Sequence, residues 1–214
     1  MGYDAQWTAT DQVPQRLIDA GIYQGQPFGR FDSRDPSDGG PKSRYSLSGE
    51  WHHHNTDDGT ATRVSAYAMR YRLQLWSNFS DTLDRPVEGD PFLQRDGRSV
   101  VGMAASHALS HSLAGLPARS ESGVQLRQDS MQVDLFDTEA RQIKTTTRDD
   151  NLRKNLLGVY GQSAVELTPW LRTTVGLRAD HLRTRVTALS LAANSGATRG
   201  TQVSPKSSLI AGPF

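Results

Sequence analysis

NLLGVYGQSAVELTPWLRTTVGLRADH, residues 155–181, is the stretch whose reading decides the fold. Odd positions carry the apolar bulk: Leu157, Val159, Val165 and Leu167 in the first arm, then Leu171, Val175, Leu177 and Ala179. Even positions hold Tyr160, Gln162 and Glu166, then Arg172, Thr174, Arg178 and Asp180. Alternation with period two describes strands with two unlike faces. Thr168-Pro169-Trp170 reads as a three-residue connection, which makes the arms an antiparallel hairpin. Both arms exceed the usual strand length of about 5–6 residues. The polar face is wet. The apolar face must lie against a protein core or against lipid.

Composition narrows the choice. The 214 residues suffice for one large β domain or two small ones. The formal net charge is +1 and the basic residues are scattered, which argues against a nucleic-acid partner. Mean hydropathy is -0.59. No apolar run approaches the roughly 18 residues of a membrane helix. A membrane β-barrel stays open, because its lipid-facing and lumen-facing residues average to a polar profile. With no cysteine there is neither a disulfide framework nor a Cys-based zinc site. Met1 is followed by Gly-Tyr-Asp and no leader segment is visible. For an exported protein this leads us to expect an incomplete N-terminus, and the abrupt Gly212-Pro213-Phe214 ending hints at the same for the C-terminus.

The rest of the chain lines up behind the hairpin. Residues 1–8 read as a strand end. Residues 10–21 read as a short helix or an irregular loop, with Asp11, Pro14, Leu17, Ile18 and a Gly21 stop. Residues 43–54 alternate, with Tyr45, Leu47 and Trp51 on one side. Residues 55–59 signal a tight turn, and 61–76 return as a strand. In that strand we take Tyr67, Met69, Tyr71, Leu73 and Leu75 as the apolar side. Strands follow at 98–110, 121–136 and from 201. In 121–136 apolar parity changes between Val124/Leu126 and Met131/Val133/Leu135, which predicts a β-bulge near 128–130. Long polar connections are expected at 9–43, 77–97, 137–152 and 188–201, and short ones at 55–60, 111–119 and 168–170. The strict alternation gives an all-β, antiparallel up-and-down meander of about eight strands. Short turns at one end and long loops at the other are the asymmetry of a transmembrane β-barrel. Trp51, Trp76 and Trp170 at strand ends suit interfacial girdles.

YGQSAVELTPWLRTTVGLRADH, from Tyr160, resembles a hairpin of TonB-dependent outer-membrane receptors, in which a Tyr-x-Gln strand passes through Leu-Thr-Pro into Gly-Leu-Arg-x-Asp. VSPKSSLIAGPF, from Val203, resembles the Ser-Pro-Lys strand that follows. LWSNFSDTLDRPVEGDPFLQRDGR from Leu75 and WTATDQVPQRLIDAG from Trp7 resemble segments of one subgroup. The resemblance implies an energy-coupled uptake receptor for a scarce nutrient such as an iron–siderophore complex, in the outer membrane of a Gram-negative cell. It implies that 1–214 is a partial transmembrane β-barrel, an internal piece whose partners are outer-membrane lipid, the remaining strands and a plug domain, with TonB engaged only through the missing segment. It implies no enzyme activity and no cofactor. Against it stand a self-contained eight-stranded barrel acting as a passive pore or structural protein, and a soluble β-rich binding module.

Candidate chemistry is sparse. In His52-His53-His54, alternation puts His52 and His54 beside Glu50 and His53 opposite, so three ligands do not converge. His107 and His111 belong to another strand. The pairs Asp57-Asp58 and Asp149-Asp150 read as solvated turn or loop residues. Asn78-Phe79-Ser80 is a chance sequon. No catalytic, cofactor or metal residue is assigned, and no ligand-binding residue can be named. Arg70, Arg72, Arg172 and Arg178, with Glu50, Glu166 and Asp180, are expected to line a lumen, where Arg70 and Arg72 would guide an anionic metal chelate.

Overall fold

The computed structural model describes residues 1–7, 13, 15–35, 37–78, 83–86 and 89–212. Eight long strands form one antiparallel sheet in nearly sequential order. They are β1 (Gly2–Trp7), β4 (Gly40–Asn55), β5 (Thr60–Ser77), β6 (Phe92–Leu113), β7 (Leu116–Glu139), β8 (Gln142–Thr168), β9 (Leu171–Ala188) and β10 (Gly196–Ala211). A helix, α1 (Gln15–Ala20), and a small ribbon, β2 (Ile22–Tyr23) with β3 (Gln26–Pro27), fill part of the first connection. Gly21 ends α1 at φ 65°, with its N–H donating to the Leu17 and Ile18 carbonyls. The anticipated Asp11 and Pro14 signals lie outside the described residues, as do Pro213 and Phe214. Among the described residues β1 pairs only with β4 and β10 only with β9, so the sheet is open: a partial barrel, not a closed one.

The two faces are unequally covered. In β8 the odd side chains from 151 to 161 are exposed, and the even ones from 152 to 162 are half-buried or buried. β9 repeats this from 174 to 188, with Ala179 the one exposed-side residue that is half-buried. A bending sheet crowds the side chains of its concave face and splays those of its convex face. The face of Tyr160 and Arg178 is therefore concave, and that of Val159 and Leu177 convex.

The convex face holds most of the sheet's large exposed apolar residues. Leu47 is 77% exposed, Leu209 67%, Leu177 57% and Val175 52%. Register makes them a continuous band. Trp51, Val64, Ala105, Val124, Val159, Ala179 and Val203 are successive partners in one row across seven strands, all apolar. The concave row beside it is Glu50, Ser65, Ala104, Gln125, Gly158, Asp180 and Gln202. Along β9 the band runs from Leu171 to Ala179. Eight steps give about 26 Å of strand, or about 20 Å along the membrane normal at a tilt near 40°. Polar groups inside the band pair with each other, as a medium without water requires. Thr62 Oγ1 lies 2.9 Å from His107 Nδ1, and Ser120 Oγ 2.6 Å from Ser163 Oγ.

Three expectations need correction. First, β7 has no bulge at 128–130; its pairing with β6 is unbroken from Leu116 to Asp137. The irregularities lie in β8, where Thr147 and Lys144 are skipped in pairing with β7, and near Leu167. Parity changes in β7 because the faces exchange polarity: Val124 and Leu126 are convex, and Met131, Val133 and Leu135, farther along, are concave. Secondly, residues 137–152 are not a loop. β7 and β8 run on as a hairpin to a two-residue tip at Ala140 (φ 48°) and Arg141 (φ 61°). Thr145, Thr146 and Thr147 suit strand backbone, and with water on both sides they need no alternation. The last connection likewise shrinks to 189–195, so the strict long–short alternation fails at these two connections. Thirdly, Tyr67, Met69, Tyr71, Leu73 and Leu75 are concave, because Tyr67 pairs with Ser48 and Gly102. The convex residues of β5 are Val64, Ala66 and Ala68.

The hairpin of residues 155–181 forms as expected, with a tighter turn: Thr168 pairs with Leu171 across Pro169-Trp170. Trp51 and Trp170 are exposed at the tight-turn end. Trp76 is half-buried at the loop end, with the Arg141 guanidinium 5.6 Å above its ring.

Candidate functional site

The concave face is a charged wall built by short-range pairing along each strand. Residues two apart share a face, and four strands use that spacing for an arginine and an aspartate. Arg98 meets Asp96 at 2.6 Å (Nε to Oδ1), Arg127 meets Asp129 at 2.8 Å, Arg148 meets Asp150 at 2.5 Å, and Arg178 meets Asp180 at 2.7 Å. On β4 and β5 the pair is cross-strand: Arg63 Nη2 donates to Glu50 at 2.9 Å. Asp129 and Asp150 are buried, so each arginine compensates a carboxylate held away from water. Arg178 also donates to Gln125 at 2.9 Å, and the Tyr160 hydroxyl to Glu121 at 2.6 Å.

Glycines make room for these large groups. A Cβ on Gly158 would stand 2.5 Å from Arg178 Nη2 and 2.7 Å from Asp180 Oδ1. The rings of Tyr67 and Tyr160 lie over Gly102 and Gly123 respectively. Sequence periodicity located the polar face but not these Tyr-on-Gly pairs. Their signal lies in the register, which sets each tyrosine opposite a glycine.

The anticipated residues divide. Arg178, Glu50 and Asp180 are on the concave face within this network, and Arg172 and Glu166 are cross-strand partners there. Arg70 and Arg72 are not. They are convex, in the rows of Ser99 and Gly97, so a role in guiding a solute through the lumen fails for them. Reading β5 by apolar bulk assigned its faces the wrong way round. His52 contacts Glu50, which is also held by Arg63, and His53 stacks on Trp51 at 5.9 Å between ring centres. His111 Nε2 lies 2.8 Å from Ser120 Oγ. Among the described residues no group of three potential ligands converges on a metal position. Asp57 and Asp58 cap a turn through Asn55: the Asp57 N–H donates to Asn55 Oδ1 at 3.1 Å, and Asn55 Nδ2 to Asp58 at 2.7 Å. Asp149 and Asp150 point to opposite faces. The sequon at 78–80 lies partly outside the described residues.

Among the described residues the sheet thus presents paired ions on its concave face and an apolar band on its convex face. Residues 2–210 match the sequence profile of the family described as TonB dependent receptor-like, beta-barrel. The chain belongs to the TonB-dependent receptor β-barrel family. That family comprises outer-membrane receptors and transporters, not enzymes. The fold of this receptor wall is similar to that of the ferric citrate transporter FecA in its unliganded form (TM-score 0.72, 12% identity), over 97% of this chain and 29% of that one. It is also similar to the ferric-catecholate import receptor Fiu from E. coli K12 in its open form (TM-score 0.56, 10% identity), over 87% of this chain and 35% of that one. The chain thus spans about a third of the length of these receptors. No curated protein sequence matches it.

Proposed function

We propose that the chain is part of the wall of an energy-coupled receptor in the outer membrane of a Gram-negative cell, which takes up a scarce nutrient such as an iron–siderophore complex. The observation that carries this reading is the division of faces across seven strands, apolar outside and ion-paired inside. A narrow eight-stranded barrel fills its interior with side chains; here β1 and β10 remain apart, and the concave arginines suit a wide, hydrated lumen. The free edges of β1 and β10 would pair with further strands, and the lumen would hold a plug domain through polar contacts. TonB would act on that plug and not on the wall. The chain contributes wall and loops and needs no cofactor.

Uptake measurements test this. In cells bearing a receptor that contains this segment, accumulation of a radiolabelled iron chelate should require TonB, and the 214-residue chain alone should give none. TonB-dependent uptake by the chain alone would falsify the proposal, and TonB-independent leakage through it would favour the small-pore alternative. Reversing Arg127 and Arg178 to Glu in the receptor should slow uptake of an anionic chelate by about tenfold if the wall's field steers it. Unchanged uptake removes that steering role.

A further inference from the structure

Asp134 and Asp149 face each other across β7 and β8 on the convex side, beyond the apolar band. Theirs is the last rung at which β8 is held on both edges. The Asp149 carbonyl accepts from the Leu189 N–H at 2.7 Å, and its own N–H donates to Ser190 Oγ at 3.2 Å. Past that rung, among the described residues, β8 pairs with β7 alone over 142–148, and two of its residues, Thr147 and Lys144, are skipped there. β7 is fixed further out: β6 holds it to Asp137, and the Thr138 N–H donates to the Pro91 carbonyl at 2.9 Å. The rung of Asp134 and Asp149 is therefore a hinge, with β8 the arm that can move.

The hinge is poorly compensated. Asp134 is 3% exposed and Asp149 is half-buried. Oδ1 of each is buried with no hydrogen-bond partner among the described residues. Arg95 Nε holds the other Asp134 oxygen at 3.0 Å, and its guanidinium lies 4.4 Å over the Phe136 ring. The remaining neighbours on this face, Gln132 and Phe136 on β7, Asn151 on β8 and then Leu189 and Ser190, carry no charge. Arg148 is turned to the other face, on Asp150. Two facing carboxylates with one cation cannot both stay ionised away from water, and a shared proton satisfies both orphan oxygens.

The arm ends on a clasp. Arg141 Nε donates to the Ser37 carbonyl at 3.0 Å, Nη2 donates to the same oxygen, and the guanidinium stands 5.6 Å over the Trp76 ring. Gly39 and Trp76 exchange backbone hydrogen bonds of 2.8 and 2.9 Å, so Arg141 grips the first connection just where it enters β4. We propose that Asp134 and Asp149 form a proton-operated latch at the loop end of the wall. With one shared proton the pair keeps β8 zipped to β7 and Arg141 on Ser37; without it the arm swings away and releases the first connection. Opening hydrates both carboxyls and gives the proton to water. Burial makes the closed form hold that proton more tightly than an ordinary carboxyl does, against Arg95 and with help from Asp149. The closed form thus persists in acid, and the open form gains as pH rises. This goes beyond the uptake reading and is independent of the solute carried.

The test measures the distance between nitroxides on Phe31→Cys, in the first connection, and Gln142→Cys, on the arm, in a reconstituted receptor containing this segment. Near pH 4, about the ordinary carboxylate value, one narrow distance is expected. A second, longer distance should then appear and grow about tenfold per pH unit while it is the minor form, because one proton leaves on opening. Asp134→Asn, whose amide donates permanently to Asp149, should keep the narrow distance at every pH, and Asp149→Asn serves if that variant does not assemble. Arg141→Ala should give the longer distance at every pH. A wild-type distance that ignores pH, an unchanged pH response in the assembled Asn variants, or a narrow distance in Arg141→Ala would each overturn the latch.

Discussion

Gly40 shows how little freedom single positions have where β4 leaves the first connection. Its φ is 152°, and a Cβ there would sit 2.3 Å from the Gln74 carbonyl oxygen, a backbone atom that cannot swing aside. Gly40→Ala should cost about 1–3 kcal/mol, read as a lower urea midpoint for the receptor in detergent. Asp134 behaves differently. It is buried and lies directly across from Asp149, with Arg95 at 3.0 Å. Burial, foremost, raises its pKa above the ordinary carboxylate value; Asp149 adds to that and Arg95 opposes it. A raised folded-state value means that the folded hairpin binds the proton more tightly than the unfolded chain. The resulting stability is complete below the unfolded pKa and is lost as pH rises through the folded one. Amide exchange of the hairpin tip should therefore quicken as pH, corrected for intrinsic exchange, climbs out of the acid range. Asp134→Asn should flatten that profile, and a flat wild-type profile would contradict it. Neither position was legible in the sequence: Gly40 looked like any loop glycine, and Asp134 was one acid among polar residues.

At the scale of elements, neighbouring residues of one strand face different solvents. Val175→Arg places a charge on the convex band and should cost about 2–4 kcal/mol; Thr174→Arg, one residue away on the concave face, should cost about 0–1 kcal/mol. Folding yield into bilayers measures both, and equal costs would deny the difference in faces. The β7–β8 tip offers a second check. Ala140 and Arg141 both adopt positive φ, where Asn is easier than Ala. Ala140→Asn should stabilise the hairpin by about 0.5–1 kcal/mol, seen as slower exchange near the tip. The opening hairpin was readable because lipid on one side and water on the other impose period two over its arms. The same code misled at 61–76 and 121–136. There the strands pass beyond the lipid, Arg70 and Gln128 replace apolar residues outside, and Leu73 and Val133 hold the concave side. Period two survives, but its polarity inverts, which a sequence read without register takes for a wrong face or a bulge. Residues 137–152 read as a loop in the sequence because a strand wet on both sides has no alternation to display.

For the whole molecule, the two open edges and the convex band set behaviour in water. An unpaired edge and a contiguous apolar face both invite association. The 214-residue chain expressed alone should sediment as aggregate in detergent-free buffer, and a soluble monomer would favour a β-rich binding module. The family was legible in the order of motifs such as Tyr160–Gln162 and Leu177–Asp180 along the chain. The substrate was not, because loop sequences carry no periodic signal from which a ligand could be read. The most direct measurement places nitroxide labels at residues 175 and 178 of a membrane-inserted receptor and compares their access to oxygen and to a water-soluble nickel chelate. The expected result is oxygen-rich, nickel-excluded surroundings at 175 and the reverse at 178. A label at 175 buried under protein, with 178 pressed against hydrocarbon, would contradict the division of faces on which the wall depends.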